Sequence, residues 1–305
     1  MMALLAGLVS VMLSSGFQVQ PQSTQAPVDL EDISVLGLST REQTQQFVGR
    51  IATAPAGARI GRWHDPLCIS VANMTAPHGQ MLVDRIAELA RELDVKVSPP
   101  GCRSNVLIVA TDDGAAMAEA MVERWRLRFR PPIDNTNMGL AALDRFRTGD
   151  APVRWWPVAL PVSVDTGQPV ARVTGEHRAP IYYARNVSRL RSAVRYDLRS
   201  VTVIIDMTKT GDITLQSLMD YTAMVVLAQV NPRSDYSNQP TIMNLFDNPD
   251  DITQMTEWDR LYLQALYDSE VDRPTPSAQV AAVVEHVEQF RRRSPTSQDR
   301  FSEVD

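Results

Sequence analysis

The chain has 305 residues, 44% hydrophobic and 22% charged, which is ordinary for a globular protein and enough for one large α/β domain or two small ones. Thirty Lys and Arg against 36 Asp and Glu give a net charge of −6. That balance excludes the global basic footprint expected of a nucleic-acid binder.

Residues 1–17 open with MMALLAGLVSVML and run into small residues. The apolar run is too short to span a bilayer as a mature helix and fits a secretory signal peptide or N-terminal anchor, although it lacks a basic start. A buried N-terminal helix is the alternative. Residues 18–28, rich in Gln, Ser and Pro, read as a linker. A signal segment points to a periplasmic or secreted protein of the bacterial envelope, and no later run resembles a membrane span. In such a protein two cysteines, Cys68 and Cys102, suggest one disulfide between neighbouring strands, with two buried free thiols as the alternative. His64, His78, His177 and His286 lack paired ligand spacing, so no metal site is expected.

Thr40 is placed to cap a helix containing Gln43, Phe47 and Ile51. A strand follows at the end of 63–71 (WHDPLCISV), then a helix over 77–93 with apolar Met81, Leu82, Ile86, Leu89 and Leu93. Residues 105–110 (NVLIVA) form a second strand, and Asp112 and Asp113 cap a helix over 114–128. This β-α-β-α order predicts a parallel crossover. A short helix is expected over 140–146. Residues 153–173 carry three prolines and an exposed-looking Trp155-Trp156 pair, and read as an irregular hairpin or edge strands turning at 165–168. Residues 201–205 (VTVII) are the most β-branched strand. Near the end, Pro274 and Pro276 break the chain, and 277–293 form an amphipathic helix before a polar tail.

The stretch 214–267 organises the rest. It holds a buried helix (TLQSLMDYTAMVVLAQV), a polar loop with a turn at Thr241-Ile242-Met243, and a second helix (MTEWDRLYLQALY) that Thr256 and Asp259 begin as a capping box. In that order it resembles the second half of a metzincin-type zincin metallopeptidase, in which an HExxHxxGxxH helix precedes a Met-turn and a closing helix. The register puts Tyr221 at the first His, Thr222 at the Glu, Val225 at the second His, Ala228 at the glycine and Asn231 at the third ligand. The SRLR element (188–191), the strand after it and the DYxAM…LA helix (220–228) also resemble a group of uncharacterised secreted bacterial proteins.

The resemblance implies a zincin-like α/β domain over 29–273, with a mixed sheet and a central buried helix, and a C-terminal helix and tail over 274–305. It does not imply catalysis. A catalytic zinc needs about three protein ligands plus an open position. Tyr and Asn are poor substitutes, Val is none, and a threonine hydroxyl is no base near neutral pH. No catalytic residue, metal or cofactor is therefore carried over. The reading is a non-catalytic envelope protein that holds a peptide or protein in a degenerate cleft. An edge strand would take an extended peptide over a floor of Asp220, Tyr221, Asn231 and Met243. The alternatives are a hydrolase with relocated carboxylates among Asp206, Asp212 and Asp220, and a structural envelope protein docking through its last helix.

Two further clusters stand apart. Arg185, Arg189, Arg191 and Arg195, with Arg199 beyond them, would make an anion patch, or a solvated face paired with nearby acids. Asp247, Asp250 and Asp251 with Asn244 and Asn248 hold calcium-type oxygens, but the spacing departs from an EF-hand and fits a polar capping loop.

Overall fold

Four runs rich in β-branched and apolar residues form one mixed sheet. In a computed structural model that describes residues 40–55, 57–170, 184–185, 188–237 and 239–293, these are β1 (Ile69–Ala72), β2 (Val106–Thr111), β3 (Val153–Ser163) and β4 (Val194–Asp206). Residues 1–39, His177 and the tail after 293 lie outside the description, and with them the expected signal segment and linker. The strand order is β1-β2-β4-β3. β1, β2 and β4 run parallel, and β3 closes the sheet as an antiparallel edge.

The helices among the described residues are α1 (Thr40–Ile51), α2 (Ala76–Glu92), α3 (Gly114–Arg124), α4 (Arg126–Phe129), α5 (Leu140–Thr148), α6 (Leu215–Leu227), α7 (Glu257–Asp268) and α8 (Pro276–Arg293). The class is α/β, and the β1-α2-β2 crossover forms as its pattern predicts.

Side chains alternate across the sheet. Trp155, Val203 and Ile205 face a large core shared with α1, α2, α6, α7 and α8. Trp156, Val158 and Ile204 face a smaller core shared with α3, α4 and α5. Both tryptophans are thus buried, at 6% and 3% exposure, and not exposed as the sequence had led us to expect. β3 gives each sheet face one indole. Trp155 donates through Nε1 to the Val230 carbonyl at 3.0 Å, and Trp156 to that of Phe129 at 2.8 Å.

One other expectation changes. The helix expected over 114–128 stops at Arg124, because Trp125 leaves helical geometry (φ −123°, ψ 49°) and a separate turn, α4, follows. β3 is an edge strand, with all eleven of its residues paired to β4, and among the described residues the chain turns back after it through a Val162–Pro169 bridge.

α6 is the central helix. Every residue from Ser217 to Leu227 is buried, the polar Ser217, Asp220 and Thr222 with their hydrogen bonds satisfied inside. Thr214 caps it by accepting from Ser217 N, and Thr222 returns its hydroxyl to the Leu218 carbonyl at 2.7 Å. α7 begins with the capping box between Thr256 and Asp259. Cys68 and Cys102 are disulfide-bonded, with Cα atoms 5.9 Å apart, and join the approaches to β1 and β2. Among the described residues no helix is long and apolar enough to cross a membrane.

Candidate functional site

The free edge of the sheet carries the site. Asp206 N donates to the Pro152 carbonyl at 2.8 Å, so residues 152, 154, 156 and 158 turn their backbone groups toward β4. Residues 153, 155, 157, 159, 161 and 163 turn theirs outward. Pro157 and Pro161 sit in that outward set, where a missing N–H breaks no ladder bond.

The far half of this rim is already occupied. Ala159 N donates to the Thr136 carbonyl, Ser163 N to that of Gln168, and the Pro161 carbonyl accepts from Val170 N. The near half is open. Among the described residues nothing pairs with the N–H groups of Val153 and Trp155 or the carbonyls of Val153, Trp155 and Pro157. Val153, Trp155 and Pro157 line a cleft, so these unpaired backbone groups are available to a partner chain.

A cleft of about 380 Å³ runs beside this open rim. One wall comes from α5 and the loop before it, with Met138, Ala142 and Phe146. The other comes from α6 and the loop after it, with Tyr221, Tyr236, Met243 and Phe246. The Tyr221 ring meets Trp155 and Phe246 edge-on, at 6.1 and 5.1 Å between centroids. Arg145, Arg233 and Asp247 stand exposed at the mouth, and neither arginine makes an ion pair among the described residues. Burial pushes the Tyr221 phenol up, and the nearby Tyr236 and Asp247 add to the rise. Burial also raises Tyr236, whose hydroxyl donates to the Asn231 carbonyl. Both phenols therefore stay protonated as donors near neutral pH and cannot act as bases.

Of the four residues expected on the floor, Tyr221 and Met243 line the cleft. Met243 lies in a single 3₁₀ turn, Ile242–Asn244, packed against α6. The buried Asp259 of α7 holds that turn by accepting from Thr241 Oγ1 at 2.6 Å and Ile242 N at 2.8 Å. Asp220 and Asn231 are corrections. Asp220 lies about a quarter-turn around the helix from Tyr221. Its carboxylate accepts from Arg85 Nε of α2 at 2.6 Å and Met255 N at 2.7 Å. Asn231 falls beyond the helix, because Ala228 is extended (φ −133°, ψ 156°) and ends the register. Its side chain knots the next turn, accepting from Arg233 N and donating to Ser234 Oγ. Val225, at the second histidine position, is fully buried in the core and leaves no space for a ligand.

The three acids proposed for a relocated hydrolase do not share a site. Asp206 accepts from Gly114 N at the start of α3, Asp212 is an exposed turn residue, and Asp220 is bound to Arg85. Nor do the arginines form a free anion patch. Arg191 pairs with Asp272, Arg195 with Asp197 and Arg199 with Asp65. Arg185 and Arg189 are exposed. In the expected oxygen cluster Asn244 donates to the Tyr236 and Gln239 carbonyls, and Asn248 to Asp251, as in a capping loop. Among the described residues no three His, Cys, Asp or Glu side chains are grouped to hold a metal.

Sequence reading missed Phe146, Tyr236, Phe246, Arg145 and Arg233. Two aromatics in the loop after α6, Tyr236 and Phe246, were the available signal. Comparison with family models, with curated proteins and with solved structures gave no match.

Proposed function

We propose that the chain is a non-catalytic, zincin-like binding protein of the bacterial envelope, which receives an extended peptide along the open half of β3. The observation that carries this reading is the unpaired outer rim of Val153–Pro157, which lines a walled cleft. A peptide added there would accept from two N–H groups and donate to up to three carbonyls, over a span of about 17 Å. Its inward side chains would enter the space lined by Tyr221, Met243 and Phe246.

The zincin element is supported by the order strand β4, helix α6, turn at Met243, helix α7, with the turn packed under the helix. Loss of function at the zinc is supported by the buried Val225 at the second histidine position and by the protonated Tyr221 phenol at the first. Export is supported by the disulfide.

The test is selection from a displayed nonapeptide library, followed by calorimetry of the selected peptide with Val153→Pro. That change removes an outward donor and no bond to β4 but also alters a buried side chain, so folding is checked by melting, and affinity should fall about tenfold. Stoichiometric zinc binding at micromolar affinity, or chelator-sensitive peptidase activity, would contradict the reading.

A further inference from the structure

Residues 123–131 read ERWRLRFRP, with four arginines alternating with Trp125, Leu127 and Phe129, and Glu123 the one acid. The end of α3 at Arg124 and the turn α4 give these apolar side chains different fates. Phe129 is fully buried, its ring 5.5 Å from that of Phe146. Trp125 and Leu127 remain 46% and 72% exposed. A lone exposed leucine is ordinary, but a neighbouring tryptophan and leucine over a shallow hollow floored by Leu107 mark a contact surface.

The charges name the partner. Arg124, Arg126 and Arg130 are exposed and make no ion pair among the described residues. Arg85, Arg147, Arg191, Arg195, Arg199, Arg260 and Arg273 each pair with an acid. In a chain with six more acids than bases, this corner is left positive. Arg128 alone turns inward, donating from Nε to Thr202 Oγ1 at 3.1 Å.

We infer that this corner docks on an anionic lipid bilayer. Trp125 and Leu127 enter the interface, where an indole and an aliphatic side chain beside cations are favoured. Arg124, Arg126 and Arg130 meet the lipid phosphates, for which the guanidinium fork is suited. A short protruding segment carrying both kinds of side chain within seven residues fits a fluid charged surface. None of Arg124–Arg130 lines the cleft beside β3, so docking leaves that cleft open.

The experiment is co-sedimentation of the intact chain with phosphatidylcholine vesicles, with and without phosphatidylglycerol, at low and high salt. It is repeated for Arg124→Gln/Arg126→Gln/Arg130→Gln and for Trp125→Ser/Leu127→Ser, each checked by circular dichroism and melting. The wild type should bind phosphatidylglycerol vesicles in a salt-sensitive manner, with a blue shift of tryptophan emission that the Trp125 variant lacks. The arginine variant should lose about 100-fold in partitioning. No binding to phosphatidylglycerol vesicles, equal binding to neutral vesicles, or folded variants that bind like the wild type would each overturn the inference. So would wild type that binds single-stranded DNA more tightly than phosphatidylglycerol vesicles at the same salt, since this would make the corner a general polyanion site.

Discussion

Asp220→Asn separates architecture from function at the central helix. The carboxylate is 1% exposed and its partner Arg85 16%, with Nε–Oδ1 at 2.6 Å and Met255 N on the other oxygen at 2.7 Å. Asparagine keeps the shape but presents one amide donor to a site with donors on both sides. Removing one partner of a buried pair costs about 3–5 kcal/mol. Asparagine retains one acceptor and Arg85 still reaches the exposed Glu88, so we expect about 3 kcal/mol at neutral pH. For a domain of this size that lowers Tm by about 6–12 °C. Urea unfolding and calorimetry measure both quantities, with the exposed Asp212→Asn as a control expected within about 0.5 kcal/mol of wild type. Peptide affinity should be unchanged, because the carboxylate faces α2 and not the cleft. A loss under about 1 kcal/mol, or normal stability with peptide binding abolished, would refute this placement.

Three further outcomes follow from the same geometry. Cys68→Ser/Cys102→Ser frees a loop of 34 residues' separation and should lower stability by about 4 kcal/mol, read by comparing melts of the variant and the oxidised wild type. Val225→Ala deletes two methyl groups from a fully buried side chain and should cost about 2 kcal/mol in urea melts, with no gain in zinc affinity. Asp197 accepts from His64 and Arg195. Burial pushes its pKa up, but these hydrogen bonds outweigh burial and hold it below the ordinary 3.8. A lowered native pKa stabilises above the unfolded value and is lost as pH falls through the native one. The stability gap between wild type and Asp197→Asn should therefore be full at about pH 5 and close as pH drops below about 3.8, measured by urea titration at each pH.

Local signals carried much of the fold. Asp113 and Thr256 cap where their sequence context predicts, β1-α2-β2 forms its crossover, and the largely apolar α6 is buried. What was hidden depends on distant partners. Nothing near Asp220 announces Arg85, 135 positions away. The Trp155-Trp156 pair looks exposed until β4, α5 and α6 cover both faces of β3. Of the cleft, the sequence marked Tyr221 and Met243. Asn231 was misplaced because helical register was continued past Leu227, where the backbone becomes extended. The open rim of β3 was illegible, since which backbone groups face outward depends on register with β4.

Hydrogen exchange at the Val153 and Trp155 amides tests the central claim most directly, read residue by residue with and without a saturating selected peptide. The account predicts that both exchange far faster than the amides of Arg154 and Trp156, which face β4, and become protected when peptide is bound. Slow exchange in the free protein, or fast exchange that persists in the complex, would contradict it.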